Sequence, residues 1–327
     1  MNSILQIPVL LLTFNRPIHT QRVWDEIKKQ RPKYVFVFQD GAREINLSDV
    51  EKCKAVRQIF EKPLEWDCIF KTLYLDENMG CGKGPVTGIS WFFENVDMGI
   101  ILEDDCLPHS DFFKYCDDLL NRYTNYKNVM AIGATTYHDN YLCNDSYLFS
   151  KYFTGGAWAT WKRAWNKFSL DLESVDVKFF KNIINEQFYS SAEINWWLSK
   201  VKEIKADTKK KDYWDYQMQI HLLLNNGLAI RPQKNMISNI GFDAEATHTR
   251  EEDNKSQRQV YPCFPLSHPK QIIVNKKKDY LYMTKSYKKR IDRRIISWLY
   301  DAMKNNEGLL NKLLIFYKQK KNAWKKN

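Results

Sequence analysis

Gly99-Ile100-Ile101-Leu102-Glu103-Asp104-Asp105-Cys106-Leu107-Pro108 is the stretch on which the reading of this chain turns. An apolar run of strand length ends in three consecutive acids. Three carboxylates at the end of a buried strand repel one another, and a cation or strong hydrogen-bond donors must offset that repulsion. In an open α/β sheet, the carboxyl ends of the strands are where ligands bind. Hard divalent ions such as Mn2+ or Mg2+ take carboxylate oxygens and keep positions open for phosphate oxygens, so the triplet suits a metal bridging a diphosphate. Taken alone it has a second reading as an acidic helix start, because Asp and Glu also favour helix N-termini.

On either side of the triplet, β-rich runs alternate with helical patterns. Ile7 to Phe14, Tyr34 to Gln39, Cys68 to Leu75 and Gly99 to Glu103 read as buried strands, and Val129 to Thr135 as a further one. Ile18 to Gln30, Leu47 to Glu61, Pro85 to Glu94 and Asp111 to Tyr123 read as helices. Short connections between such units predict an α/β fold, a mostly parallel sheet flanked by helices. After Ser150 tryptophans become dense (Trp158, Trp161, Trp165, Trp196, Trp197, Trp214), and helices are expected to dominate from Ala157 to Asn226. Ala229 to Arg231 and Met236 to Ser238 read as short strands returning to the sheet, and Asp243 to Gln259 as a polar loop. The division expected is a catalytic domain over 1–270, nucleotide-binding to about 135 and acceptor-binding from 136, then a basic helical tail over 271–327.

Composition narrows the function class. Hydrophobic residues at 44% and aromatics at 14% fit a packed enzyme rather than a disordered chain. No apolar run approaches the roughly 18 to 20 residues of a spanning helix. Ile4 to Phe14, broken by Gln6 and Pro8, lacks the basic start and cleavage site of a signal peptide. Seven cysteines, an odd number with no zinc-knuckle or redox spacing, read as reduced thiols of a cytoplasmic protein. The net charge of +11 is concentrated: residues 276–327 hold sixteen Lys or Arg against four acids, which leaves the remainder at −1. A protein built for nucleic acid would spread positive charge over its binding face, so none is expected as partner.

Three more strand ends carry polar groups. Thr13-Phe14-Asn15-Arg16-Pro17 follows the first strand, setting Thr13 and Asn15 at the sheet's carboxyl edge; Arg16 could contact a phosphate or base, or be a solvated loop arginine. Gln39-Asp40-Gly41 ends the second, where Asp40 could accept from a uracil or ribose donor, although Asp-Gly is also an ordinary turn. Asn78-Met79-Gly80-Cys81-Gly82-Lys83-Gly84-Pro85 ends the third and opens a helix. Its glycines, Gly80 among them, let backbone amides approach a ligand beside Asn78, and Lys83 adds positive charge. The spacing is not that of a P-loop.

These residues resemble the GT-A class of glycosyltransferases. Glu103-Asp104-Asp105 looks like the Glu-Asp-Asp form of that class's Asp-x-Asp motif. Leu11-Leu12-Thr13-Phe14-Asn15-Arg16-Pro17 and the Gln-Asp-Gly step are similar to the family of the N-acetylglucosaminyltransferase that begins complex N-glycan assembly, and to its bacterial relatives. The resemblance continues through Tyr152-Phe153-Thr154-Gly155-Gly156-Ala157-Trp158, Tyr213-Trp214-Asp215, Ile230-Arg231-Pro232, Asn239-Ile240-Gly241-Phe242 and Ala246-Thr247-His248-Thr249, in order, over about residues 7 to 250. It does not extend to the middle helical region or to an amino-terminal membrane anchor. It implies a GT-A fold and a UDP-sugar donor, UDP-N-acetylglucosamine for example, with Mn2+ or Mg2+. Asp105 would be the direct metal ligand, with Glu103 and Asp104 on the nucleotide-sugar and its ribose. Asp40 would read the uracil, Arg16 would sit near the nucleotide, and Asp215 would be the catalytic base. Trp158 and Trp214 would wall the sugar, or else pack in the core. His248 would close over the diphosphate or ligate the metal, or be an incidental loop histidine.

Two apolar clusters in the tail fall near helical faces ringed by lysine and arginine: Tyr287, Ile291, Ile295, Trp298, Leu299 and Ala302, then Leu309, Leu310, Leu313, Leu314, Phe316 and Tyr317. Basic amphipathic helices bind anionic bilayers, so peripheral attachment to the inner membrane face is expected, against a tail packed on the body. The function expected is an inverting, metal-dependent transfer of a sugar to a glycan or lipid-linked acceptor in surface polysaccharide synthesis. The alternatives are a sugar nucleotidyltransferase of related fold and a non-enzymatic membrane- or nucleic-acid-binding protein dominated by its tail.

Overall fold

A strand buried on both faces needs apolar side chains along its length, and Val9–Thr13 (β1), Tyr34–Gln39 (β2) and Met98–Glu103 (β4) meet that requirement up to their polar last residues. In the computed structural model, which describes residues 4–136, 145–206, 213–241 and 258–284, these three strands lie side by side and parallel. Ile69–Tyr74 (β3) joins β2 as a parallel edge strand with a largely exposed pattern. Beyond β4 the order continues with Ala157–Trp161 (β8), Val129–Gly133 (β6), Leu228–Pro232 (β9) and Tyr147–Ser150 (β7), completing an eight-stranded mixed sheet. β8 runs antiparallel to both β4 and β6, and β7 antiparallel to β9. The result is a mixed α/β fold with a mostly parallel sheet flanked by helices.

Alternate residues of β1 feed two cores, as the two-residue strand period requires. Val9 and Leu11 pack with Val23, Trp24 and Ile27 of Pro17–Gln30 (α1), Val56 of Leu47–Ile59 (α2) and the apolar face of Asp111–Arg122 (α4). Leu10 and Leu12 pack on the other side with Ile89, Phe92 and Phe93 of Gly80–Asn95 (α3) and with Met218 and Leu222 of Asp215–Leu224 (α8). Because β1, β2 and β3 are parallel neighbours, the helices that follow them all begin at one sheet edge. The acids that end β4 sit at that same edge.

Three elements differ from the sequence expectation. Ala157–Trp161 is a buried strand at the centre of the sheet rather than the start of the helical region. Its side chains fill both cores, Ala157, Ala159 and Trp161 on one face and Trp158 on the other. Helices Lys162–Trp165, Val177–Asn185 and Ser191–Ala206 (α5 to α7) follow it. Ile237–Asn239 (β10) does not return to the main sheet; it pairs antiparallel with Cys106–Pro108 (β5), the residues just after the acidic triplet. Helix α3 begins at Gly80, five residues before the expected Pro85, so the glycine-rich stretch forms its opening turns.

The chain divides into two compact units, Met1–Tyr280 and Leu281–Asn327. Near the end of the first, Asp279 is buried and accepts from the Ser150 hydroxyl at 2.7 Å and the Lys151 amide at 2.7 Å, with Arg231 Nη1 3.9 Å away. The apolar clusters of the tail from Tyr287 onward, His248 and most of the expected polar loop lie outside the described residues. No helix among the described residues is long and apolar enough to cross a membrane. Six of the seven cysteines fall within the described residues and are free thiols.

Candidate active site

Glu103 pairs in register with Leu12, so it shares the sheet face that packs α3 and α8. Its backbone N–H donates to Gly156 O at 2.8 Å, which fixes the strand end against the start of β8. Asp104 is buried and accepts the Phe14 N–H at 3.2 Å, tying the acidic turn to the loop after β1. Asp105 receives Arg16 Nη1 at 2.9 Å, and its carbonyl accepts the Ile240 N–H at 2.8 Å. Glu103 and Asp105 keep partial exposure; Asp104 does not.

Two of the three acids, Glu103 and Asp104, are held at an electrostatic cost. Burial raises the Glu103 pKa to about 8, helped by the charges of Asp105, Asp104 and Asp215, while Arg16 pulls it down. Asp104 is raised to about 7, by burial first and then Asp105, again opposed by Arg16. A site that strains to protonate its own carboxylates is one that a divalent cation would relieve. The donor set agrees: ligand atoms of Glu103, Asp105 and Cys106 lie within 4.8 Å of one another. Of these, Cys106 is the misfit. Burial, then the neighbouring acids, lift its thiol well above the ordinary range, so it stays protonated and donates to Asp105 Oδ1 at 3.4 Å. The oxygens of Asp105 and Glu103 suit a hard ion such as Mn2+ or Mg2+.

The remaining candidates separate into those that face the cluster and those committed elsewhere. Asp215, at the first position of α8, is exposed and near enough to Glu103 to raise its pKa. Trp214 precedes it and stacks on Trp158, with ring centroids 5.8 Å apart. Trp158 itself has no exposure, so it backs Trp214 from the core and does not form a wall of its own. Gly155 lies against the Trp214 ring edge, where an added Cβ would meet it at 3.6 Å.

Asp40 turns out to organise the chain. Its Oδ1 accepts from Gly41 N at 3.0 Å and Met79 N at 2.9 Å, and its Oδ2 from Gly80 N at 3.1 Å and Asn78 Nδ2 at 3.1 Å. A carboxylate has about four acceptor sites, so these bonds fill them, and reading a uracil would require displacing one. Burial nevertheless raises its pKa against the three backbone donors. The glycines serve this clamp: Gly80 adopts φ +79°, and a Cβ on Gly84 would sit 2.9 Å from Asp40 Oδ2. Asn78 also donates to Gly41 O at 2.8 Å. Lys83, by contrast, is exposed on the opening turns of α3.

Thr13 and Asn15 are likewise spoken for. The Thr13 hydroxyl donates to Phe38 O at 2.9 Å, and Asn15 Nδ2 to Asp49 Oδ1 at 2.7 Å. Asp49 was not anticipated from sequence. It is fully buried, and although burial works to raise its pKa, the Arg43 and Asn15 hydrogen bonds win and the net shift is downward. Arg43 grips it at 2.6 and 3.0 Å. Gln39 and Arg57 are a second unanticipated pair: Arg57 Nε donates to Gln39 Oε1 at 2.7 Å, while Gln39 Nε2 donates to Phe14 O and Cys53 O, both at 2.9 Å. Asn46 beside Asp49, a capping pattern at the start of α2, was the available signal for the first; the second had none.

No protein-family model matches the chain, and no curated protein matches it. Among solved structures it is similar to UDP-glucose pyrophosphorylase complexed with UDP-glucose, at 10% identity over 72% of this chain and 93% of that one, TM-score 0.37. It is similar to HddC from Yersinia pseudotuberculosis at 10% identity, covering 52% of this chain and 85% of that one, TM-score 0.30. A third is 4-diphosphocytidyl-2C-methyl-D-erythritol synthase from Anaerococcus prevotii, at 8% identity over 67% and 97%, TM-score 0.29. Likenesses this distant leave the function to be argued from the residues.

Proposed function

We propose that the chain is an inverting GT-A glycosyltransferase that moves a sugar from a UDP-sugar to an acceptor hydroxyl with the help of Mn2+ or Mg2+. The observation that carries this reading is the pairing of an exposed carboxylate, Asp215, with the acid cluster at the end of β4. Asp105 and Glu103 would hold the ion through their oxygens, and a bound divalent cation supplies positive charge to the departing diphosphate. Asp215 would take the proton of the attacking hydroxyl, the one task an inverting transfer requires of a side chain. Exposure suits that role, because an ordinary carboxylate must be ionised and reachable by the acceptor. Trp214, buried at 6% exposure in the core beside Trp158, would support the start of α8 rather than wall the sugar, and Lys83 would lie on the diphosphate side. The resemblance of the motifs favours UDP-N-acetylglucosamine as donor. The acceptor would be a glycan or lipid-linked sugar, reached at an anionic membrane surface through the basic tail.

A second reading is sugar nucleotidyl transfer, the chemistry for which the UDP-glucose pyrophosphorylase is named. There the nucleophile is a phosphate, already an oxyanion, which needs no base. It would also bring two polyanions to a site where Glu103, Asp104, Asp105 and Asp215 stand opposed by Arg16. Charge balance therefore favours glycosyl transfer.

The test uses the full chain with UDP-N-acetylglucosamine and Mn2+. UDP release that depends on the metal is expected, and Asp215→Asn should abolish it while UDP still raises the melting temperature. Pyrophosphate made from UTP and a sugar 1-phosphate would establish the second reading instead. No thermal shift with any nucleotide-sugar, with or without Mn2+, would sink both.

A further inference from the structure

Arg16 Nη1 sits 2.9 Å from Asp105 Oδ2, and neither side chain has much contact with water: 12% and 17% exposure. The pair is set from both sides. The Arg16 carbonyl accepts the Thr20 amide at 2.9 Å and the Thr20 hydroxyl at 2.8 Å, which anchors the backbone at the start of α1. Asp105 is held by its carbonyl on Ile240 N, and Ile240 O is met by His19 Nε2 at 2.9 Å. Gly241 then lies directly over the ion pair. A Cβ there would collide with Asp105 Oδ2 and stand 2.8 Å from Arg16 Nη1, so only a glycine leaves room for the pair.

The carboxylate that Arg16 holds is the one best suited to a hard cation, which creates a conflict. A divalent ion on Asp105 and the guanidinium on Asp105 are like charges competing for the same oxygens. At a few ångströms in a poorly hydrated site, such repulsion is large compared with thermal energy.

We propose that Arg16 is a resident counter-cation that competes with the metal for Asp105 and, once displaced by it, binds the diphosphate of the nucleotide. The inference rests on the transferase reading and extends it by coupling the two ligands. Metal arrival releases a guanidinium matched to phosphate oxygens in bidentate geometry, so each ligand prepares the site for the other. Arg16 acts here as a positioning and binding group.

The experiment is calorimetric titration of the full chain with Mn2+ alone, then with UDP in saturating Mn2+. Arg16→Met should bind Mn2+ at least about tenfold more tightly than the unaltered chain, yet bind UDP about tenfold more weakly in the presence of Mn2+. Arg16→Lys, which keeps a charge without the fork, should fall between for Mn2+ and serves if the Met variant folds poorly. Mn2+ affinity unchanged or reduced by Arg16→Met, in a variant that melts normally, overturns the competition. If the unaltered chain and every variant take up no Mn2+, the metal-dependent reading falls with it, so the two failures are distinguishable.

Discussion

Replacing Glu103 by Gln removes a charge that the fold disfavours and should stabilise the metal-free protein, but only at high pH. Burial, then Asp105, Asp104 and Asp215, raise the folded Glu103 pKa from 4.5 to about 8. An acid raised on folding contributes stability that is fully present below its unfolded value and lost as pH rises through the folded one. Each pH unit across that interval removes about 1.4 kcal/mol, which sets a ceiling of about 5 kcal/mol. Asp104 shares the same repulsion, so the part that the amide recovers is on the order of 3 kcal/mol. For a domain of this size that corresponds to a melting temperature gap of roughly 5 °C. Melting curves of both proteins in EDTA, from pH 5 to pH 9, provide the measurement. The two should nearly coincide at pH 5, separate up to about pH 8 and hold that gap to pH 9, with the Glu103→Gln variant on the stable side, because every other titrating group is common to both. Saturating Mn2+ at pH 9 should narrow the gap by stabilising the unaltered chain. A gap independent of pH, or one that favours the unaltered chain at pH 9 without metal, would refute the electrostatic account.

Asp40→Ala leaves three backbone N–H groups without their acceptor, while the Asn78 amide keeps Gly41 O; at about 1 to 3 kcal/mol for each unmet group, partly relieved by water, a loss of about 3 to 5 kcal/mol in urea unfolding is expected. A loss below about 1 kcal/mol would mean that Asp40 does not organise the turn. Lys83→Ala, at an exposed position, should leave stability within about 0.5 kcal/mol of the original. UDP affinity in Mn2+ should nevertheless fall several-fold, and an unchanged affinity would remove Lys83 from the site. Deleting residues after 284 should abolish flotation with anionic liposomes at low salt; equal flotation of both forms would end the case for a membrane-binding tail.

What could be read from sequence, and what could not, follows the range of the interactions involved. β1, β2 and β4 were legible because a strand buried on both faces must be apolar throughout, and few other elements of that length are. The acidic ending of β4 was legible for the opposite reason, since nothing about a buried strand explains three carboxylates. Ala157–Trp161 was not, because a short Trp- and Ala-rich run next to the helix Lys162–Trp165 shows no decisive period. The pairing of Ile237–Asn239 with Cys106–Pro108 spans well over a hundred positions and involves three residues on each side, too few to carry a pattern. At the site, chemical types were legible while commitments were not. Thr13, Asn15 and Asp40 sit at the expected sheet edge, yet their hydrogen bonds go to Phe38, Asp49 and the Met79-Gly80 turn. The nearest of those partners lies 25 residues away in sequence. Only the folded backbone decides whether such a group faces a ligand or its own chain.

Asp279 sets a limit on how far this protein can be trimmed. Charge composition alone would place the cut near residue 270, at the onset of the lysine-rich stretch. A chain ending there would take away the carboxylate beside the Arg231 guanidinium, 1% exposed, along with the acceptor of the Ser150 hydroxyl and the Lys151 amide. Losing one member of a buried charge pair typically costs about 3 to 5 kcal/mol, enough to unfold many domains. The first stretch of basic sequence is therefore the sheet's own fastening, and a trimmed chain should keep the helical stretch through Thr284, in which Tyr282 and Met283 are buried.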